Sequence, residues 1–154
     1  MWALEHTKHR KRYSFAAARN FLRRLRGAEC QRESKPPLIS IVDDDHAVRE
    51  AIKSLIRSVG LRAETYVSTE EFVQCNHLGE VACLIVDVHL PGKSGLELQR
   101  ELATGTYDIP IVFITADGNE TMRSQALKDG ALAFLLKPFS EESLLSALQA
   151  ALKQ

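Results

Sequence analysis

Short apolar runs alternate with segments of helical periodicity from residue 38 to the end of this 154-residue chain. Such continuous runs are typical of strands that are covered on both faces, as in parallel sheets. The clear runs are LISIV (38–42), CLIV (83–86), IVFI (111–114) and ALAFLL (131–136), and a weaker one is RAETYV (62–67). The alternation predicts an α/β fold, a doubly wound five-stranded parallel sheet with five helices on its two faces.

The segments between the runs carry helix start and stop signals. The first helix has an apolar face from Val48 to Val59 and ends at Gly60. Each of the other four follows a residue that commonly caps a helix: Ser68, Ser94, Asn119 and Ser140. The two Ser-x-x-Glu patterns, Ser68 with Glu71 and Ser94 with Glu97, predict capping boxes.

The charge is distributed unevenly along the chain. Residues 1–37 contain ten Lys or Arg and three Asp or Glu, whereas residues 38–154 contain ten and seventeen. A chain of this length accommodates one core of roughly 100 to 150 residues. We therefore expect a basic N-terminal extension and linker at 1–37, followed by a single acidic domain at 38–154.

The basic extension contains HRKRYSFAAARNFLRRLR (9–26), which forms an amphipathic, Arg-rich face if it is helical. Such a segment can contact nucleic acid, a membrane surface or the acidic body of its own chain, and it can equally remain a solvated tail. Residues 27–37 read as a linker because Pro36 and Pro37 stop a helix before the first strand.

The cysteines and the hydropathy restrict the class of protein. Cys30, Cys75 and Cys83 are odd in number and lack CxxC spacing, which favours reduced thiols over a disulfide or metal framework. No apolar run approaches the roughly 18 residues that a membrane span needs. The expected location is the cytoplasm.

Polar residues follow four of the predicted strands at the point where each strand ends. They are Asp43 and Asp44, Asp87, Thr115 and Lys137. Parallel sheets of this class bind ligands at the carboxyl edge of their strands, where these residues would meet. Carboxylates are hard ligands that favour Mg²⁺ or Mn²⁺. Together with an ammonium and a hydroxyl group, they suit the stabilisation of a phosphoryl group in transfer.

Four motifs identify a family. They are VDDD (42–45), VDVHLPGKSG (86–95), FITA (113–116) and LKPF (136–139). In this order and spacing the body resembles the receiver domain of two-component response regulators, which has a flavodoxin-like fold. Within that family it looks most like receivers of the nitrogen-fixation regulator type.

The resemblance implies a phosphoacceptor and a metal site. Asp87 would accept a phosphoryl group from a sensor histidine kinase or a phosphotransfer protein. Asp44 and Asp87 would bind Mg²⁺ directly with the backbone carbonyl of His89, and Asp43 would act mainly through water. Lys137 would pair with the phosphoryl oxygens.

The resemblance also implies a response to phosphorylation. Thr115 would move toward the phosphoryl group and Phe134 would rotate into the vacated space, although plain core packing explains Phe134 equally well. The last two helices are a plausible homodimer face. The Lys137-Pro138 peptide bond is expected to be cis.

The remaining interpretations concern His89, Asp117 and Asp45, and the kind of protein to which the chain belongs. His89 and Asp117 occupy positions that tune dephosphorylation in the family, and Asp45 is interpreted as a charge in the first helical turn. The chain is then a signalling module that catalyses only its own phosphoryl transfer and dephosphorylation. Because the chain ends with the last helix, it is either a stand-alone receiver or a fragment of a longer regulator.

The alternative function is a phosphohydrolase of the haloacid dehalogenase type, since ISIVDDDHAV (39–48) resembles its DxD signature. Asp43 would be the nucleophile and Asp45 the acid or base. That assignment leaves Asp87 without a role and little chain for a cap domain.

Overall fold

The computed structural model describes Phe21 and residues 35–153. Its centre is a five-stranded sheet in the order β2-β1-β3-β4-β5, and all four neighbouring pairs of strands are parallel. The strands are β1 (Leu38–Val42), β2 (Arg62–Tyr66), β3 (Val81–Asp87), β4 (Ile111–Thr115) and β5 (Ala133–Leu136). The predicted doubly wound parallel sheet is confirmed.

Five α-helices follow the five strands in turn among residues 35–153, and the first four connect one strand to the next. They are α1 (His46–Ser58), α2 (Thr69–Val73), α3 (Gly95–Ala103), α4 (Glu120–Lys128) and α5 (Glu141–Leu152). A short 3₁₀ helix, Leu78–Glu80, precedes β3 and was not predicted. Each α-helix begins after a residue whose side chain accepts a backbone N–H: Asp45, Ser68, Ser94, Asn119 and Ser140.

The two predicted capping boxes differ. Ser94 and Glu97 form the complete reciprocal pair. Ser68 accepts the Glu71 N–H, but the Glu71 carboxylate accepts the N–H of Val67 rather than that of Ser68. Both arrangements satisfy backbone donors that the first turn of a helix leaves without a partner.

The core has two halves because successive side chains of a strand point to opposite faces of the sheet. Ile39 and Ile41 of β1 belong to the half that packs against α1 and α5, while Leu38 and Val42 belong to the half that packs against α2, α3 and α4. Burial is complete in β1 and β4. It is broken in β5, an edge strand whose Leu136 is exposed, so the apolar run at 131–136 predicted more burial than occurs.

Phe21 of the basic extension belongs to this core. Phe21 is helical, only 6% exposed, and part of the half that packs against α1 and α5. The rest of the amphipathic segment at 9–26, and residues 27–34 of the predicted linker, lie outside the described residues. The end of the linker is tied to β2, because the Arg62 side chain and backbone N–H donate to the carbonyls of Pro36 and Pro37. Among the described helices, none has the length and hydropathy required to cross a membrane.

Candidate functional site

Three of the strand-end residues meet at the carboxyl edge of the sheet. The Lys137 ammonium, after β5, donates to Asp43 Oδ2 at 2.9 Å and to Asp87 Oδ2 at 2.7 Å. Asp43 follows β1, and Asp87 ends β3. The contact joins positions 94 and 50 residues apart, and it forms because parallel strands all end on one side of the sheet.

Burial disfavours the charged forms of the residues in this ion cluster. The side chains of Asp43 and Lys137 are 0% and 6% exposed. Burial raises the pKa of Asp43 to about 6, although hydrogen bonds from Lys137 and from the Asp45 N–H act in the opposite direction. Burial alone would lower the pKa of Lys137, but the hydrogen bonds to Asp87 and Asp43 outweigh it and raise that pKa. Lys137 is therefore an ammonium at neutral pH.

The cluster has the donor set of a divalent metal site. Asp43, Asp44 and Asp87 each offer a carboxylate oxygen, and these oxygens all lie within 4.8 Å of one another. When all three are ionised, one ammonium leaves two negative charges, and the oxygen-only ligand set suits Mg²⁺. Asp44 is exposed, so the cluster opens to solvent on its side. These residues fit the ion that the family resemblance implies.

His89 is the fourth metal ligand implied by the resemblance, through its carbonyl. Its backbone N–H donates to Asp87 Oδ1 at 2.8 Å, which puts it directly beside the acidic cluster. Its ring lies 3.5 Å from Asp117, between Nε2 and Oδ2, and both side chains are about half exposed. The two side chains that the sequence links to dephosphorylation therefore face each other; their role stays a prediction.

Thr115 and Phe134 are the two residues predicted to act as a switch. Thr115 is buried at the end of β4, and its hydroxyl accepts the Asp117 N–H at 3.1 Å. Its carbonyl accepts the Lys137 N–H at 2.8 Å. Phe134 is buried against Phe113, with ring centroids 6.2 Å apart. Both residues lie where the motifs predicted, and the switching itself stays a prediction. The Lys137-Pro138 bond is cis, as the resemblance implied.

Asp45 does not belong to the cluster. Its carboxylate accepts the N–H groups of Ala47 and Val48 at 2.9 and 3.4 Å. It is the N-cap of α1, one position before the first turn in which the sequence analysis put its charge. A capping carboxylate turned toward these amides is poorly placed as an acid or base beside Asp43, so the geometry gives the dehalogenase alternative no support.

Sequence reasoning missed Arg49. Its guanidinium donates to the backbone carbonyl of Asp43 at 2.7 Å and holds the end of β1 against α1. A cation near a helix N-terminus is unfavourable because it opposes the helix dipole. This position could have indicated from the sequence that Arg49 has a specific partner. Thr69 and Glu70 of α2, which contact the loop after Asp87, were missed as well.

Comparisons with known proteins agree with this geometry. The family model of the response regulator receiver domain matches residues 39–149. The response regulator protein TmoT of Ectopseudomonas mendocina is 49% identical over 75% of this chain and 53% of its own length. The transcriptional regulatory protein FixJ of Azorhizobium caulinodans is 35% identical over 78% of this chain and 56% of its own.

The solved structure of the response regulator StyR is also similar, with 42% identity and a TM-score of 0.72 over 78% of this chain and 60% of that chain. The chain spans about half the length of the curated relatives TmoT and FixJ. The matched region contains every residue of the acidic cluster together with Lys137. The chain belongs to the response regulator receiver family, among relatives that include regulators of the nitrogen-fixation type.

Proposed function

We propose that this chain is a phosphoacceptor signalling switch, in which Asp87 receives a phosphoryl group from the phosphohistidine of a sensor histidine kinase or a phosphotransfer protein. The observation that supports this most directly is the Lys137 ammonium, which contacts both Asp43 and Asp87 in the acidic cluster. The Asp87 carboxylate thus lies between the Lys137 ammonium and the other carboxylates of the acidic cluster.

The transfer forms a bond between an Asp87 carboxylate oxygen and phosphorus, and it breaks the bond between phosphorus and the donor imidazole nitrogen. The released imidazole takes up a proton. Lys137 pairs with the oxygens of the phosphoryl group, and Thr115 lies at the adjacent strand end to donate its hydroxyl proton. Asp44, Asp87 and the His89 carbonyl would hold Mg²⁺, with Asp43 acting mainly through water, and the bound ion would neutralise the negative charge that develops in transfer.

Phosphorylation replaces the single negative charge of the Asp87 carboxylate with up to about two on the acyl phosphate, and it brings three phosphoryl oxygens next to Thr115. Movement of Thr115 toward these oxygens opens space on the side of β5, where Phe134 is buried only shallowly at 9% exposure. The affected surface includes Leu127 of α4 and Leu136 of β5, two of the exposed large apolar side chains. We propose this surface, together with α5, as the face that binds an output partner or a second copy of the chain.

The same site governs the lifetime of the signal. His89 and Asp117 face each other at 3.5 Å and are about half exposed, which supports a role for this pair in admitting the water that attacks the phosphoryl group. The only reactions proposed for the chain are thus its own phosphorylation and dephosphorylation. We therefore propose that this signalling module acts in the cytoplasm, where it meets the kinase.

Acetyl phosphate with Mg²⁺ tests the proposal, with intact-mass spectrometry as the readout. The wild-type chain should gain one acid-labile phosphoryl group, and Asp87→Asn should gain none. Asp45→Asn is the matched control, because that carboxylate lies next to the cluster in sequence but caps α1. Phosphorylation that survives Asp87→Asn, or that maps to Asp43, would overturn the assignment.

A further inference from the structure

The loop that follows the acceptor aspartate, residues 88–94, is held at both ends. At its start, the His89 N–H donates to Asp87 Oδ1 at 2.8 Å. At its end, the Gly95 N–H donates to the Val88 carbonyl at 3.1 Å. A Cβ atom at Gly95 would lie 2.6 Å from the Asp87 carbonyl oxygen, so only glycine allows α3 to begin this close to the acceptor.

Near its end, at Lys93, the loop is also held by a different element, the short helix α2. Both backbone polar groups of Lys93 are bound by consecutive α2 side chains. Glu70 Oε1 accepts the Lys93 N–H at 3.1 Å, and the Thr69 hydroxyl donates to the Lys93 carbonyl at 3.1 Å. Thr69 is fully buried, whereas Glu70 is exposed, so one of the two contacts lies in the interior of the domain and the other at its surface.

The loop also passes unusually close to the Glu70 carboxylate. Gly92 has φ of +76°, and a Cβ atom there would lie 3.1 Å from Glu70 Oε1. Hydrogen bonds from its own backbone N–H and from that of Lys93 lower the pKa of Glu70, so the group is a carboxylate at neutral pH. The Lys93 side chain pairs with Glu101 of α3. The backbone of Lys93 thus contacts α2 while its side chain contacts α3.

We infer that Thr69 and Glu70 are positioning residues for the phosphoacceptor site, acting through the loop that carries His89. This inference rests on the proposed function. A loop without regular structure reaches one conformation only when its backbone groups are satisfied. Removing the charge-assisted contact at Lys93 releases the loop between its two fixed ends. The His89 carbonyl and the Asp87 carboxylate then lose part of their alignment toward metal and phosphoryl donor.

The test compares two neighbouring glutamates in the full chain. Glu70→Ala removes the contact with the loop, whereas Glu71→Ala is the matched control, because Glu71 caps its own helix through the Val67 N–H at 2.7 Å. Glu70→Gln keeps an acceptor oxygen and is the conservative rescue. Thr69→Val removes the second contact at nearly constant volume.

The measurements are the Mg²⁺ dissociation constant by calorimetry, the rate of phosphorylation by acetyl phosphate, and the melting temperature. Glu70→Ala should weaken Mg²⁺ binding and slow phosphorylation by about tenfold, as expected for groups that orient metal ligands. Thr69→Val should act in the same direction, Glu70→Gln should recover most of the loss, and Glu71→Ala should leave both values near wild type.

Equal Mg²⁺ affinity in Glu70→Ala and Glu71→Ala would overturn the inference, whatever their melting temperatures. Failure of the proposed function is a separate outcome, since it would appear as a wild-type chain that is not phosphorylated. The Mg²⁺ affinities of the variants would still decide whether α2 positions the site in that case.

Discussion

The buried Asp43 carboxylate makes the stability of the metal-free protein depend on pH in an unusual direction. Its pKa is about 6 in the folded chain against 3.8 for an unperturbed aspartate, with burial as the main cause. Between these values the folded state keeps a proton that the unfolded state has lost. The free energy of unfolding therefore falls as the pH rises through this window. The difference of about 2 units between the folded and unfolded pKa values corresponds to about 3 kcal/mol of free energy of unfolding.

Asp43→Asn isolates this contribution, because the amide has nearly the same shape and cannot titrate in this range. Urea unfolding of both proteins in EDTA, from pH 4 to pH 7, gives the free energies. We expect wild type to lose about 2.5 kcal/mol relative to Asp43→Asn across that range, since the unfolded aspartate is still partly protonated at pH 4. Added Mg²⁺ should reduce the loss, since a cation favours the ionised carboxylate and binds only the folded site.

The pH dependence of the difference between the two proteins is the decisive result. A difference that stays constant from pH 4 to pH 7, or one that changes in favour of wild type as the pH rises, would refute the reasoning. It would mean that the Lys137 ammonium and the Asp45 N–H stabilise the Asp43 carboxylate more than burial destabilises it.

Three other substitutions test separate parts of the structure. Asp44→Ala should weaken Mg²⁺ binding in calorimetry and raise the melting temperature in EDTA, because it removes repulsion; a clear fall in that temperature would contradict this account. Lys137→Ala should retain Mg²⁺ binding but lose the conformational response to phosphorylation. It should also lower the free energy of unfolding by about 3 kcal/mol at pH 7, because two carboxylates lose their buried partner. If phosphorylation still changed partner binding in this variant, Lys137 would not have the role assigned to it. Phe21→Ala should lower the free energy of unfolding by about 3 kcal/mol in urea titrations, because it empties a buried site, and a change near zero would show that Phe21 is not part of the core.

Local signals predicted the elements of this fold well. All five helices begin next to a residue with a capping side chain, and four of these caps were read from the sequence because a cap acts on amides within three positions. The strand at 38–42 was predicted at its observed bounds. The 3₁₀ helix Leu78–Glu80 was missed, since three residues are too few to show a period.

Predictions failed where the burial of a side chain depends on neighbours that are far away along the chain. The run at 131–136 is apolar like a central strand, yet β5 lies at the edge of the sheet and leaves Leu136 exposed. Phe21 gave no signal that it would be buried, because the surface that covers it belongs to the body of the domain.

The sequence by itself determined the order of strands and helices, the edge of the sheet at which polar residues collect, and the kind of chemistry that carboxylates and a lysine can perform. These properties follow from periodicity and residue type, which are local. Only the tertiary structure decided that Lys137 bridges Asp43 and Asp87, and that Thr69 and Glu70 hold the acceptor loop. The physical reason is that hydrogen bonds act over about 3 Å, so their partners are chosen by the packing of distant segments rather than by position along the chain.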